Sequence, residues 1–472
     1  MEIENKIPIH IGLFGHIDSG KTAIAAVLSE IISTAGLEAH PQSKQRGITI
    51  DLGFTSFILD KYLITLVDGP GHADLIKISA SSVEIIDFAM VVIDINKGPQ
   101  IQTGEHLIMI DALGIKKIIV LLNKIDIFEG NINEEIKKIK DFFNTTNFGL
   151  NIPVYAVSAK KRVGFELLKN GILETINSVE IKRDYEEPTI IPIDHYFSIK
   201  GMGTVVTGTI IKGKLEINQN LEIIPLNISS KVKNIQIFRQ NVKRAKAGDR
   251  VGVNVKVDVN KIYRGCYATT NPDAFNYSDI LEIKVNNNKF FKHKTNFGTQ
   301  VHVIVGMFTS SGTIYPFYES DDNKKIKTTI SNLDKGFKAF LWLNEKVLLR
   351  KQRTIMLISR LDLPPTGLRI LGSAELIKTY DEPPNLFKIK VKKGIIQNPN
   401  HSQGIICTGL AQSADGAKII VGKKLEPPFT KVIDVFATKG AVIVGLENKD
   451  YNINKGEKVI LKELRSFRLK KI

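Results

Sequence analysis

The sequence predicts a multidomain chain in which an α/β domain, a parallel sheet with helices on both faces, precedes three small β-barrel domains. Three observations predict it. From Pro8 to about Ser178 apolar runs alternate with longer helical patterns, the pattern of repeated strand–helix units. Beyond Thr189 the runs become short, rich in Val, Ile and Thr, and punctuated by Gly and Pro, which is the pattern of all-β modules. The length, 472 residues, holds several cores at roughly 150 residues each.

In chain order, IPIHIGLFG reads as a strand and TAIAAVLSEIIS as a helix; YLITLVDG follows, then FAMVVIDI with the helix QTGEHLIMIDALG. KIIVLLNK with EEIKKIKDFFN and a last strand VYAVSA complete the unit. The charged, Pro-containing KRDYEEPT then stops the periodicity, so the first domain is expected to span 1–180. Joints at NPD near Asn271 and DEPPN near Asp381 divide the remainder into 188–271, 272–382 and 385–472, sizes that suit small barrels.

The formal charge is +16, which favours a polyanionic partner, nucleic acid first and an anionic membrane second. Asn385 to Ile472 holds 17 Lys or Arg against 7 Asp or Glu, so most of the excess lies in the last unit. Cys266 and Cys407 are the only cysteines; they make no metal knuckle and no disulfide framework, and point to a reducing cytosol. MEIENKIPIH lacks the apolar run of a signal peptide, and no stretch approaches the ~20 apolar residues of a membrane span. A soluble cytoplasmic chain that does not enter a membrane is expected.

GHIDSGKT, Gly15 to Thr22, matches G-x-x-x-x-G-K-[ST] between a predicted strand and a predicted helix, the context the phosphate-binding loop requires. Backbone N–H groups around Gly15, Asp18, Ser19 and Gly20 face phosphates, Lys21 adds a point charge, and the Thr22 hydroxyl can ligate Mg²⁺. DGPGH at Asp68–His72, NKID at Asn123–Asp126 and SAK at Ser158–Lys160 follow in order, and together they select GTP and GDP over adenine nucleotides. The Asp126 carboxylate can accept two guanine N–H groups, where adenine presents an acceptor. Asn123, Lys124, Ser158, Ala159 and Lys160 complete the base site. Asp68 reaches Mg²⁺ through water, Gly71 offers its N–H to the γ-phosphate, and Thr49 in RGITIDLGF is the second hydroxyl for the metal. His72 is the candidate for positioning the attacking water.

GHIDSGKT, RGITI, DGPGH, NKID and SAK together resemble the GTP-binding domain of translational GTPases of the elongation factor Tu type. GMGTVVTGTI, Gly201 to Ile210, is similar to the opening of that family's second domain, and the likeness covers roughly residues 8 to 380. RGITIDLGF, DGPGHADLIK and an extra C-terminal domain resemble, within that family, the selenocysteine-specific elongation factors in their archaeal and eukaryotic form. Gly69 departs from relatives, which often carry Cys, Ala or Val there.

The resemblance implies a GTPase that delivers selenocysteinyl-tRNA to the ribosome at recoded UGA codons, with ribosome-stimulated hydrolysis releasing the cargo. It also implies an mRNA hairpin, or a protein bound to one, as a further partner, and action as a monomer. Phe54, Asp194, His195 and Arg250 match positions that line the family's aminoacyl pocket. A selenolate favours positive charge, which Arg250 supplies permanently and His195 conditionally; Asp194 either holds the α-amino group or keeps His195 protonated. Adjacent strand residues face opposite ways, so Asp194 and His195 share a pocket only where the strand bulges or bends. A general or otherwise specialised tRNA carrier, the GTPase subunit of a sulfate-activating enzyme and a tRNA-independent RNA-binding GTPase are the alternatives.

Overall fold

Strand β1, Ile7–Phe14, is apolar almost throughout and buried from Pro8 onward, as a strand covered on both faces must be. In the computed structural model, which describes residues 5–29, 31–32, 52–69, 85–200, 203–331, 336–352, 354–364, 366–436, 439–448 and 451–471, β1 is the centre of a seven-stranded sheet. The other strands are β2 (Ile31–Ile32), β3 (Gly53–Leu59), β4 (Tyr62–Asp68), β5 (Phe88–Asp94), β6 (Ile118–Asn123) and β7 (Val154–Ala156), in the order β2-β3-β4-β1-β5-β6-β7. Helices α1 (Lys21–Leu28), α2 (Ile101–Ala112), α3 (Ile132–Asn144) and α4 (Phe165–Ser178) cover it. Alternation along the strands splits the core: Ile9, Ile11, Leu13, Met90 and Val92 pack under α1 and α4, while Phe14, Val91, Ile93 and Val120 pack under α2 and α3.

The expected parallel sheet is corrected at one edge. β1, β4, β5, β6 and β7 pair in parallel, but β3 runs antiparallel to β4 and β2 antiparallel to β3. The physical reason is the length of the join. Asp60 and Lys61 alone link β3 to β4, with Asp60 left-handed at φ 54°; two residues make a hairpin, whereas a parallel return needs a crossover of a dozen or more.

Past the linker, strands between Ile190 and Thr269 form sheets of five, four and two strands around one core that includes Ile193, Val206, Leu221, Ile235 and Val253. The next β domain is a closed barrel. Its strands run in the order Thr299–Val305, Ile355–Ser359, Ile370–Tyr380, Phe275–Asn287, Gly336–Arg350 and Phe308–Glu319, and the last pairs back with the first. Leu281, Val303, Leu341 and Ile358 fill its interior.

Phe317–Thr328 and Glu382–Lys471 form a separate compact unit. Its own core includes Ile396, Cys407, Val442 and Leu461, and a long ribbon pairs residues 385–395 with Lys458–Arg468. One short helix, Ala414–Lys418, is capped by Ser413. Among the described residues, no helix is long and apolar enough to cross a membrane.

Candidate functional site

The loop between β1 and α1 is a cradle shaped by backbone conformation. Gly15, Asp18 and Gly20 all have positive φ, at 141°, 60° and 95°, which turns successive N–H groups inward. The Ser19 hydroxyl is buried without a partner among the described residues, a donor awaiting an acceptor such as a phosphate oxygen. Lys21 is buried too, its ammonium donating to the carbonyls of Gly15 and His16 at 3.1 and 3.0 Å. Burial lowers the Lys21 pKa, opposed by the nearby Asp68 and Asp18 carboxylates. The Thr22 hydroxyl donates to Asp68 Oδ2 at 2.7 Å. Two hard oxygen ligands at the mouth of the cradle are a donor set suited to Mg²⁺, which keeps most of its waters and takes few protein oxygens.

The base-site motifs converge on the same cradle. Asn123 at the end of β6 donates through Nδ2 to the Ser19 carbonyl at 2.9 Å and accepts the Ala159 N–H at 3.1 Å. It therefore ties the phosphate loop to SAK, through the Ala159 N–H that it accepts. Lys124 has φ 70° and pairs with Asp94 at 2.9 Å, a partner that sequence reasoning missed. Asp94 lies below its usual range, because bonds from Lys124 and Asn96 outweigh the opposing effect of burial. Asp126 accepts from the Ser158 hydroxyl at 2.6 Å, which holds its carboxyl below the usual range. Asp18 and Lys160 are exposed at the rim. Thr49, Gly71 and His72 lie outside the described residues.

A second site joins β3 to the first β domain. Arg250 sends Nη1 and Nη2 to the two oxygens of Asp194, at 2.5 and 3.0 Å, and its guanidinium lies 3.3 Å over the ring of Phe54. His195 Nδ1 is 2.9 Å from Asp194 Oδ1, and the His195 and Phe54 rings are 6.0 Å apart at 82°. Because an ionised carboxylate only accepts, Nδ1 is the protonated nitrogen and Nε2 is the one presented away from Asp194. Burial would raise Asp194, but the Arg250 charge and the bonds from His195 and Arg250 outweigh it and hold the carboxyl well below the usual range. Asp194 and His195 share this site without a bulge. The strand begins at His195, so Asp194 precedes it and escapes the alternation.

Asp194 thus accepts from Arg250 and His195, and its charge balances the guanidinium. Thr207, which no sequence motif marks, supplies a further donor to Asp194 Oδ1 at 2.7 Å. A cleft of about 70 Å³ opens beside it, lined by Phe197, Val205, Thr207, Gln236, Phe238 and Arg250. Two other buried ties escape any local signal. His10 Nε2 meets the Gly248 carbonyl at 2.6 Å, and Arg369 donates from its backbone N–H and guanidinium to Glu105 at 3.0–3.1 Å.

A guanine-type P-loop cradle on a seven-stranded sheet, followed by β domains that include a barrel, defines a GTPase of the elongation factor Tu class. Residues 6–179 match the elongation factor Tu GTP-binding domain, 203–269 match elongation factor Tu domain 2, and 276–380 match domain III of the archaeal selenocysteine-specific elongation factor. The selenocysteine-specific elongation factor of Methanocaldococcus jannaschii is 41% identical over 99% of this chain and 99% of its own. That of Mus musculus is 36% identical over 70% of this chain and 60% of its own. The crystal structure of translation elongation factor SelB from Methanococcus maripaludis with the GTP analogue GppNHp superposes with a TM-score of 0.80 at 36% identity, covering 98% of this chain and 99% of that one. The chain belongs to the selenocysteine-specific elongation factors of the archaeal type, GTP-dependent translation factors.

Proposed function

We propose that this chain binds selenocysteinyl-tRNA in its GTP state, delivers it to the ribosome at recoded UGA codons, and releases it when the ribosome stimulates hydrolysis. Thr22, Thr49 and Asp68 would hold Mg²⁺, which supplies charge stabilisation to the phosphates. Gly71 senses the γ-phosphate, His72 positions the attacking water, and Asn123, Lys124, Asp126, Ser158, Ala159 and Lys160 form the guanine site. The factor acts as a cytoplasmic monomer. Its basic C-terminal unit contacts RNA, or a protein bound to the mRNA hairpin.

The observation that carries the cargo reading is the Arg250 guanidinium, clamped by Asp194 and stacked on Phe54 with His195 alongside. Serine differs from selenocysteine by one atom, so shape alone gives only about 1–3 kcal/mol of selectivity. Charge supplies the remainder. A selenolate gains a charge-assisted contact of roughly 1.5–3 kcal/mol that a neutral hydroxyl lacks. Asp194 already balances Arg250, so a selenolate shares the guanidinium with that carboxylate, beside the half-buried His195 ring. Arg250→Ala should accelerate dissociation of selenocysteinyl-tRNA far more than that of seryl-tRNA, in the GTP state. Equal selectivity in variant and wild type would remove the pocket from these residues.

A further inference from the structure

We infer that Thr207 is a positioning residue for cargo selection: its hydroxyl fixes the Asp194 carboxylate, and through it the orientation in which the Arg250 guanidinium meets a short anionic side chain in the adjoining cleft. The inference rests on reading Asp194, His195 and Arg250 as the aminoacyl pocket.

The Asp194 side chain is fully buried, so protein donors rather than water set the orientation of its carboxylate. Oδ1 accepts from Thr207, His195 and Arg250, at 2.7, 2.9 and 3.0 Å, and Oδ2 accepts from Arg250 at 2.5 Å. The donors differ in what an incoming anion does to them. Arg250 lines the cleft, so a bound selenolate attracts the guanidinium and loosens its hold on Asp194. Thr207 carries no charge and stays.

Thr207 is also the stiffest of these groups. Its strand, Gly203–Thr209, lies between Arg250–Val255 and His195–Ile199, with Thr207 opposite Gly252 on one side and His195 on the other. The Asp194 N–H donates to the Thr207 carbonyl at 3.0 Å, so backbone and side chain of Thr207 grip the same residue. Branching at Cβ restricts χ1. With its proton given to Asp194, the Thr207 oxygen also faces Arg250 Nη2 at 3.5 Å. Of the five guanidinium N–H groups, three are thus directed at Asp194 and Thr207, and the remaining two have no partner among the described residues. Without the hydroxyl, Oδ1 loses a donor in a dry site. The carboxylate then turns to recruit the N–H groups that otherwise serve the cargo.

The test compares Thr207→Val, which keeps the shape and deletes the hydroxyl, with Thr207→Ser, which restores it, and with Arg250→Ala. Dissociation of selenocysteinyl-tRNA and of seryl-tRNA would be followed for each in the GTP state, with GTP affinity as the control for folding. Thr207→Val should release selenocysteinyl-tRNA about tenfold faster, the size of one hydrogen bond to a buried charged group, with seryl-tRNA within about twofold of wild type. Thr207→Ser should restore most of the selectivity; should Thr207→Val fail to fold, Thr207→Ala takes its place. Wild-type selectivity in Thr207→Val, or equal weakening of both tRNAs, overturns the inference while Arg250→Ala still loses selectivity. Wild-type selectivity in Arg250→Ala overturns the pocket reading beneath it.

Discussion

Replacing Gly20 by alanine tests whether the phosphate cradle and the guanine site are one construction. Gly20 sits at φ 95°, and a Cβ placed there would lie 2.1 Å from Asn123 Nδ2, so something must move. The left-handed conformation costs an L-residue roughly 1–2 kcal/mol. The displaced Asn123 amide gives up its bonds to the Ser19 carbonyl and the Ala159 N–H, each worth about 1 kcal/mol. The φ strain and the two lost bonds fall on the free protein as lost stability. Nucleotide binding must then either restore the clash or do without Asn123, whose place in the guanine site is worth about 1–3 kcal/mol, a loss of roughly 5- to 150-fold in affinity. It should fall equally on GDP and GTP, because Asn123 acts before any γ-phosphate contact. Equilibrium titration with fluorescent GDP and GTP analogues measures both, with thermal melting to confirm folding. Affinity within threefold of wild type, or a loss confined to GTP, would refute the reasoning.

The remaining predictions concern hydrolysis, a buried ion pair and acid stability. His72→Ala should leave GTP affinity intact and abolish most of the ribosome-stimulated single-turnover rate; an unchanged rate would remove His72 from the water-positioning role. Arg369→Ala strands the fully buried Glu105 carboxylate, which should cost about 3–5 kcal/mol and lower the urea midpoint; an unchanged midpoint counts against it. His10 is pushed down to about 4, chiefly by burial, and His106 to about 3, by burial and the neighbouring Lys21 charge. Below their unfolded value near 6.5 the unfolded chain binds more protons, so stability is whole above that pH and falls on acidification, by roughly 3 kcal/mol for each at pH 4. Urea midpoints from pH 7.5 to 4.5 should decline less in His106→Gln than in wild type, and parallel declines would contradict the assignment.

The nucleotide site was legible because its parts are contiguous: GHIDSGKT, NKID and SAK each carry their chemistry within a few residues, at strand ends where a parallel sheet presents its ligands. The antiparallel edge was less visible. GFTSFIL lacks strict alternation, as a strand with five of its seven residues buried should, and its link to β4 contains neither Gly nor Pro. The cluster of Phe54, Asp194, His195 and Arg250 was marked only by resemblance, since Asp194 and Arg250 meet across 56 positions. Strand alternation even argued against pairing Asp194 with His195, until the strand proved to start one residue later. Thr207 and the Glu105–Arg369 pair, 264 positions apart, had no local signal, because a buried polar partner is chosen by tertiary geometry alone.

The two sites share structural elements, and this sets how strongly they can communicate. β1 carries His10, bonded to Gly248 two residues before Arg250, and ends at the phosphate loop. β3 begins at Gly53, so Phe54, the residue stacked on Arg250, follows closely on the segment that bears Thr49. Any nucleotide-driven displacement of Phe54 must therefore make or break a cation–π contact of roughly 1–2 kcal/mol in a largely desolvated site. That bounds this route to about a 5- to 30-fold effect of nucleotide on cargo affinity. Linkage makes the effect reciprocal, so selenocysteinyl-tRNA must tighten GTP over GDP by the same factor. Phe54→Leu retains apolar bulk and removes the ring, and should reduce both couplings together. If Phe54→Leu left both couplings at their wild-type values, the stack could not be the link between the two sites.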